Sequence, residues 1–189
     1  MNPKKNIDFF ATLIFTILGI YNSQVTVFYI IYLFWFQEFV RTIIDVVYVL
    51  FNKKRLEEKG AVVEIPIPNF ILLFIYLVFI VVLFGVLLNF NNTDLMILNM
   101  RTLMLKNIYF DLNVIVFTIE YVFYIKMFAY VQNQNHIFNK RHIVLHISII
   151  FGAIIQMLIL RDAKINNELL SMAVIAPFLI LKYFFGRNE

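Results

Sequence analysis

Three ionisable residues, Glu38, Arg41 and Asp45, lie in the middle of an otherwise apolar stretch at positions 25–51. Their spacings of three, four and seven residues place all three side chains on one face of a helix. A charged side chain costs about 3 kcal/mol or more at the centre of a membrane helix, so one that is present there is a functional-site hypothesis. The stretch therefore predicts a charged site inside a membrane.

Two later apolar stretches carry further polar residues at comparable depth. Glu120 lies near the middle of positions 109–131, with Asn113 seven residues earlier and Tyr124 four residues later on the same helical face. His146 lies about one turn inside positions 142–160, at a depth similar to that of Asp45. We expect the cluster to consist of Glu38, Arg41, Asp45, Glu120 and His146, surrounded by Trp35, Asn113, Tyr124 and Arg141.

The charges of this cluster do not balance. Three carboxylates face one arginine, which gives a net charge of about −2 if all of them ionise, and a low dielectric does not sustain that charge. A protonated carboxyl group, a protonated His146 or a bound cation could compensate for it. The first two predict a proton relay or an acid–base site, and the third predicts a cation site. The alternative is a self-satisfied ion-pair ladder that only fixes helix packing.

No cofactor is predicted, and a divalent metal held by Glu38, Glu120 and His146 is the one option left open. His142 and His146 have the i, i+4 spacing of helical metal-binding pairs, but Ile143 stands where such motifs carry a glutamate. The chain has no cysteine, which excludes disulfides and thiolate-ligated metals. None of its serines lies in a Gly-x-Ser-x-Gly nucleophile elbow.

The composition is that of a membrane protein. Of 189 residues, 62% are apolar and only 15% are charged, whereas soluble domains are about 45–50% apolar. The basic residues lie in short runs between apolar segments, so the net charge of +4 indicates cytoplasmic loop bias and not a nucleic-acid surface. We expect membrane lipid as a partner, no nucleic acid, and either a membrane-protein partner or a homo-oligomer.

The hydropathy pattern predicts an all-α, polytopic membrane protein of about six spans in a single membrane domain, 1–189. The spans are expected at 7–21, 25–51, 69–90, 109–131, 142–160 and 169–185, with an interfacial helix at 95–105. With both termini cytoplasmic, eleven Lys and Arg residues lie inside and four lie outside, in agreement with the positive-inside rule. Five spans, with the first segment lying in the interface, is the alternative.

Two motifs resemble an uncharacterised family of bacterial multi-pass membrane proteins, a domain of unknown function. The segment 34–39, FWFQEF, is similar to that family's aromatic-Trp-x-Glu box in helix two, with the acid displaced by one position. The segment 141–152, RHIVLHISIIFG, resembles its Arg-x4-His start of helix five, and Leu181-Lys182 resembles its closing Leu-Lys. The family carries histidines in helices three and four, and this chain has none there; Glu120 stands where a histidine is expected.

The resemblance implies a multi-pass fold in the bacterial inner membrane and singles out Trp35, Glu38, Arg141, His146 and Gly152, but it implies no activity. From the charge imbalance we expect a transporter-like or cation- or proton-handling protein. An intramembrane enzyme that uses the same groups for acid–base chemistry is one alternative. A structural or assembly subunit, whose charged face would point outward to a partner helix, is the other.

Overall fold

The computed structural model describes the backbone of residues 7–58, 67–127, 140–158, 174–181 and 183, and within this part every regular element is helical. The helices are α1 (Ile7–Tyr21), α2 (Val27–Glu58), α3 (Ile67–Ile80), α4 (Thr93–Leu103), α5 (Ile108–Met127) and α6 (Lys140–Leu158), followed by a helical segment at 174–181. This agrees with an all-α protein.

Three helical stretches are long and apolar enough to cross a membrane, namely Val27–Lys53, Pro68–Asn89 and Thr93–Phe123. The apolar parts of α1 and α6, Phe9–Tyr21 and Leu145–Ile155, are shorter. The third stretch is bent, because α4 ends at Leu103 and α5 begins at Ile108. Residues 169–173, 182, 184 and 185 of the expected sixth span lie outside the described residues, as does the loop before α6.

Helix α2 is the centre of the bundle and packs against α3, α4, α5 and α6. Each side chain from Val27 to Trp35 is at most 7% exposed, so this half of the helix is surrounded by protein on all sides. A helix that is apolar all round is suited to such a position. Its second half emerges from the bundle, and Phe51 is 86% exposed.

The end of α2 differs from the expected one. The expected span ends at residue 51, but the helix continues to Glu58. The sequence from Lys53 to Glu58 consists of Lys, Arg, Leu and Glu, which are all good helix formers, so the polar composition did not end the helix. At roughly 1.5 Å per residue, the 32 residues of α2 extend about 48 Å, more than the thickness of a hydrocarbon core.

An aromatic stack joins α2 to its neighbours. The ring of Trp35 lies parallel to those of Tyr32 and Phe39, with centroids 5.6 and 5.2 Å apart. Tyr32 also stacks on Phe110 of α5 at 5.2 Å. Trp35 Nε1 donates to the backbone oxygen of Leu73 in α3 at 2.7 Å, which satisfies the buried indole N–H. Trp35 thus packs in the core instead of on the charged residues.

Two tight turns close one end of the bundle. Ser23 and Leu105 both have φ of 54°, in the left-handed region. At each turn two backbone N–H groups donate to backbone oxygens of the preceding helix. In the first turn Ser23 donates to Ile20 and Gln24 donates to Gly19. In the second turn Leu105 donates to Thr102 and Lys106 donates to Arg101. This pattern is the Schellman motif, in which the recovered hydrogen bonds offset the cost of the left-handed residue.

Side chains tie these two turns together. Asn107, which is 2% exposed, donates to the backbone oxygen of Gln24 at 2.8 Å and accepts from the N–H groups of Tyr109 and Phe110, so it caps α5. Thr26 caps α2 in the same way, through the N–H of Tyr29 at 3.1 Å. The starts of α2 and α5 are therefore held at the same end of the bundle.

A π-helical segment at the end of α3 completes this network. In Val81–Val86 the regular i to i−4 ladder is interrupted, and the oxygen of Phe84 accepts from Asn89 Nδ2 at 2.6 Å and Asn99 Nδ2 at 3.1 Å. Asn99 in turn accepts from Thr26 Oγ1 at 2.8 Å. Buried polar groups in a membrane bundle need such partners, because lipid offers none.

Helix α6 approaches α2 closely at Gly152. A Cβ atom at this position would overlap Ile31 Cδ1 and lie 3.2 Å from the ring of Phe84, and both side chains are fully buried. At Gly85 the nearest atom, on Phe28, would be 3.5 Å away, which is an ordinary contact. The absence of a side chain at Gly152 therefore sets the distance between the two helices.

We expect Gly152→Ala to destabilise the protein by about 1–3 kcal/mol through overpacking. Gly85→Ala is the matched control and should be neutral or slightly stabilising, because alanine is the better helix former. Unfolding in mixed micelles with increasing dodecyl sulfate measures both variants. Equal stability of the two would contradict the close approach at Gly152.

Candidate functional site

The charged residues of α2 face α5 of the same chain. Arg41 Nη1 lies 2.6 Å from Glu38 Oε1, and the two side chains are 16% and 15% exposed. The pair is one helical turn apart on α2, at the predicted i, i+3 spacing. It is therefore neither in free solvent nor fully enclosed, and its charge is only partly screened.

The guanidinium of Arg41 also rests on two aromatic rings of α5. Its carbon Cζ lies 5.1 Å from the ring centroids of both Phe117 and Tyr121. These rings are nearly parallel, with centroids 5.9 Å apart and 7° between the planes. Cations within about 6 Å of an aromatic face are attracted by roughly 2 kcal/mol where they are desolvated. Arg41 is thus bound to its own chain from two sides.

Tyr121 connects the arginine to the third charge. Its hydroxyl donates to Asp45 Oδ1 at 2.7 Å. The aromatic pair on α5 and the surrounding Val40, Ile44 and Tyr48 of α2 form a small apolar cluster around these groups. Glu38, Arg41, Tyr121 and Asp45 therefore follow one another along a seam between α2 and α5, which we call the charged seam.

Glu120 lies next to Tyr121 on α5 and is half-buried, with its Oε2 atom shielded from solvent. It follows Asn113 and Phe117 at spacings of seven and three residues, and both of these contact α2. Arg41 Nε, at the other side of the seam, is buried without a hydrogen-bond partner. Glu38 and Asp45 therefore share the seam with Arg41, and Glu120 lies beside Tyr121 on the helix that faces them.

His146 does not join this group. Its side chain is exposed, and its Nδ1 lies 3.2 Å from the hydroxyl of Tyr76 in α3. The reason is the orientation of α6, which turns Leu145, Ile149 and Gly152 towards the core and leaves His146 on the flank near α3. The sequence carried no information about the direction of the His146 side chain.

The remaining predicted site residues lie elsewhere. Asn113 is 1% exposed and donates to the hydroxyl of Tyr29 at 2.9 Å and to the oxygen of Tyr109 at 3.0 Å. Trp35 belongs to the aromatic stack. The side chains of Tyr124, Arg141 and His142 lie outside the described part of the structure. Among the described residues, Glu38, Glu120 and His146 form no group of three metal-ligating side chains.

Two contributors were missed by sequence reasoning. Phe117 and Tyr121, which hold Arg41, are ordinary aromatic residues in an apolar span. Only their spacing signals a shared helical face, because Phe117 lies three residues before Glu120 and Tyr121 lies four residues after Phe117. Tyr29 likewise carries no sequence signal beyond its place in an apolar stretch. The sequence signal that could have found them is the presence of aromatic and hydroxyl side chains on a helix that faces Arg41.

We expect Tyr121→Phe and Asp45→Asn to show a coupling energy of about 1 kcal/mol in a double-mutant cycle, because each removes the same charge-assisted hydrogen bond. Tyr121→Phe keeps the ring under Arg41. Unfolding in mixed micelles measures the four proteins. The control cycle pairs Asp45→Asn with Tyr21→Phe, since Tyr21 is 69% exposed, and should be additive. Additivity of the first cycle would exclude the bond as a stabilising contact.

The chain matches no protein-family model, and comparisons with curated proteins and with solved structures gave no match either. The resemblance carried by the motifs at 34–39 and 141–152 therefore stays a prediction.

Proposed function

We propose that this protein is a transporter-like, proton-handling membrane protein in which the charged seam between α2 and α5 binds and releases the proton. One observation supports this above the others: a single guanidinium, Arg41, is placed among carboxylates in a half-buried seam. Ionisable groups inside membrane bundles commonly mark proton relays and ion pathways.

The charge balance of the seam supports the binding of a proton there. Glu38, Asp45 and Glu120 outnumber Arg41, and several ionised carboxylates at close quarters are unfavourable in a low dielectric. We infer from this excess of carboxylates that the seam takes up a proton to compensate for it. A carboxyl group that holds a proton next to others that do not is able to pass that proton on.

A proton fits the seam better than a metal ion does. The position beside Glu38 Oε1 is occupied by the Arg41 guanidinium, which would repel a second cation. The hydroxyl of Tyr121, at 2.7 Å from Asp45 Oδ1, is a group that both donates and accepts protons. Because the aromatic rings of α5 hold Arg41, the charged face of α2 is directed at its own chain and not at a separate partner helix.

We further propose six spans with both termini on the cytoplasmic side of a bacterial inner membrane. The Lys and Arg asymmetry of eleven against four supports this orientation. α1 has 15 residues, or about 22 Å of helix, and therefore needs local thinning of the bilayer to cross it.

We expect the protein in liposomes to move protons in response to a potassium diffusion potential, with an internal pH-sensitive dye as the readout. Glu38→Gln and Glu120→Gln should each lower the rate by about 100-fold or more, since each removes a group that exchanges protons. Asp94→Asn is the matched control, because Asp94 is an exposed carboxylate in the first turn of α4. Its rate should equal that of the natural protein.

Absence of proton flux in the natural protein would overturn the proposal, and so would flux that survives both glutamine substitutions. Elemental analysis of the same preparations is a second check. Stoichiometric metal in the natural protein that is lost in Glu38→Gln would show that the seam binds a metal ion instead of a proton.

The orientation can be tested with single cysteines, because the natural chain has none. We expect Ser23→Cys and Asn91→Cys to react with a membrane-impermeant maleimide from outside the inner membrane, and Lys4→Cys and Lys54→Cys to react only after permeabilisation. Labelling of Lys4→Cys on the same side as Ser23→Cys would favour five spans, with the first segment lying in the interface.

A further inference from the structure

A second polar site lies near the end of the bundle at which α2 and α5 begin. It contains Tyr29, Asn113 and Thr16, which are 0%, 1% and 0% exposed and come from α2, α5 and α1. Asn113 Nδ2 donates to the Tyr29 hydroxyl at 2.9 Å. The side chain of Thr16 also interacts with that hydroxyl. Three helices therefore bring their polar groups to one buried place, the outer polar site.

The outer polar site has unused hydrogen-bonding capacity. Within the described residues, Asn113 Oδ1 is buried and makes no hydrogen bond, and Thr16 Oγ1 makes none besides its interaction with the Tyr29 hydroxyl. Asn113 cannot be turned around to correct this, because its Nδ2 must donate to the backbone oxygen of Tyr109 at 3.0 Å. Such buried oxygens are commonly satisfied by an ordered water molecule.

The surroundings of these polar groups are apolar and closely packed. The ring of Tyr29 packs edge-on against Phe110, with centroids 5.5 Å apart, so one side of the site is apolar. Gly19, one turn after Thr16 on α1, lies against Tyr109 and brings α1 close to α5. The polar groups are neutral hydroxyl and amide groups, which suit water or hydronium.

Polar side chains continue from this site towards the charged seam at intervals of one or two turns. On α1, Thr12 precedes Thr16 by one turn and is fully buried. On α2, Gln37 is 5% exposed and lies two turns after Tyr29 and one turn before Arg41. On α5, Glu120 lies seven residues after Asn113 on the same face. The two sites are roughly 18 Å apart along α2, from Tyr29 to Arg41.

We propose that Thr16, Tyr29 and Asn113 bind a water molecule that serves as the outer station of the proton path to the charged seam. This inference rests on the proposed function. A proton reaches the bound water from the outer end as another leaves it towards Glu120. Water and the Tyr29 hydroxyl each release one proton for every proton accepted, so no group is consumed and no other reactant is needed.

Two measurements test this proposal. Hydroxyl-radical footprinting by X-ray exposure, read by mass spectrometry, detects ordered water as oxidation of the buried side chains that contact it. We expect Tyr29 to be oxidised in the natural protein despite its burial, and Thr16→Val to suppress that oxidation because it removes one of the water's partners. Fully buried Tyr29 without water would remain unmodified.

The second measurement is proton flux in liposomes. We expect Tyr29→Phe and Thr16→Val each to lower the rate by about tenfold, the effect of losing one hydrogen bond to the moving proton. Both substitutions keep the shape of the side chain. The matched controls are Tyr21→Phe at the exposed end of α1, and Thr118→Val, whose hydroxyl bonds only to the oxygen of Val114 at 2.7 Å. They should keep the natural rate, and thermal melting checks that all four variants are folded.

The outcomes separate the two proposals. Natural flux that requires Glu38 and Glu120 but is unchanged in Tyr29→Phe and Thr16→Val overturns the outer station and leaves the charged seam standing. Absence of Tyr29 oxidation in the natural protein overturns the outer station whatever the flux. Absence of flux in the natural protein overturns both. Oxidation of Tyr29 together with the tenfold losses supports the proposal.

Discussion

The structure depends on one constraint, which is that hydrocarbon offers no partner to a polar group. Both halves of α2 satisfy this constraint, each in its own way. Its first half is enclosed by α3, α4, α5 and α6, so Thr26 and Tyr29 find hydrogen-bond partners on other helices. Its second half carries Arg41, which finds Glu38 on its own helix and two rings on α5. If α2 were displaced, the polar groups of several neighbouring helices would lose their partners together.

The same constraint explains the irregular backbone. A π-helical segment costs regular hydrogen bonds, yet it directs the oxygen of Phe84 towards two asparagines. Asn99 then extends the connection to the cap of α2 through Thr26. Local disruption of α3 therefore allows three helices to be joined at one end, and both polar atoms of the Asn99 side chain have hydrogen-bond partners there. π-helical segments are frequent at functional sites for a similar reason, since they expose backbone groups.

The sequence predicted the helical class of the fold, and it did not predict which neighbours the side chains would face. The extent of α1 and the spacing of Glu38, Arg41 and Asp45 follow from hydropathy and helical periodicity, which depend only on local sequence. The side on which His146 lies depends on how α6 packs against α2 at Gly152, a contact between residues far apart in the chain. Trp35 was misplaced for the same reason: its partner, Leu73, is 38 residues away.

The proposed function requires that a carboxyl group in the seam change its protonation without loss of structure, and Arg41 has the contacts for this. If Arg41 were held by Glu38 alone, protonation of Glu38 would leave a desolvated guanidinium without a partner, which costs several kcal/mol. The rings of Phe117 and Tyr121, both 5.1 Å from Arg41 Cζ, attract the cation whatever the charge of Glu38. The aromatic pair thus fixes the arginine to α5 independently of Glu38. This second support is compatible with a structural ion-pair ladder, and it is required by the proposed proton exchange.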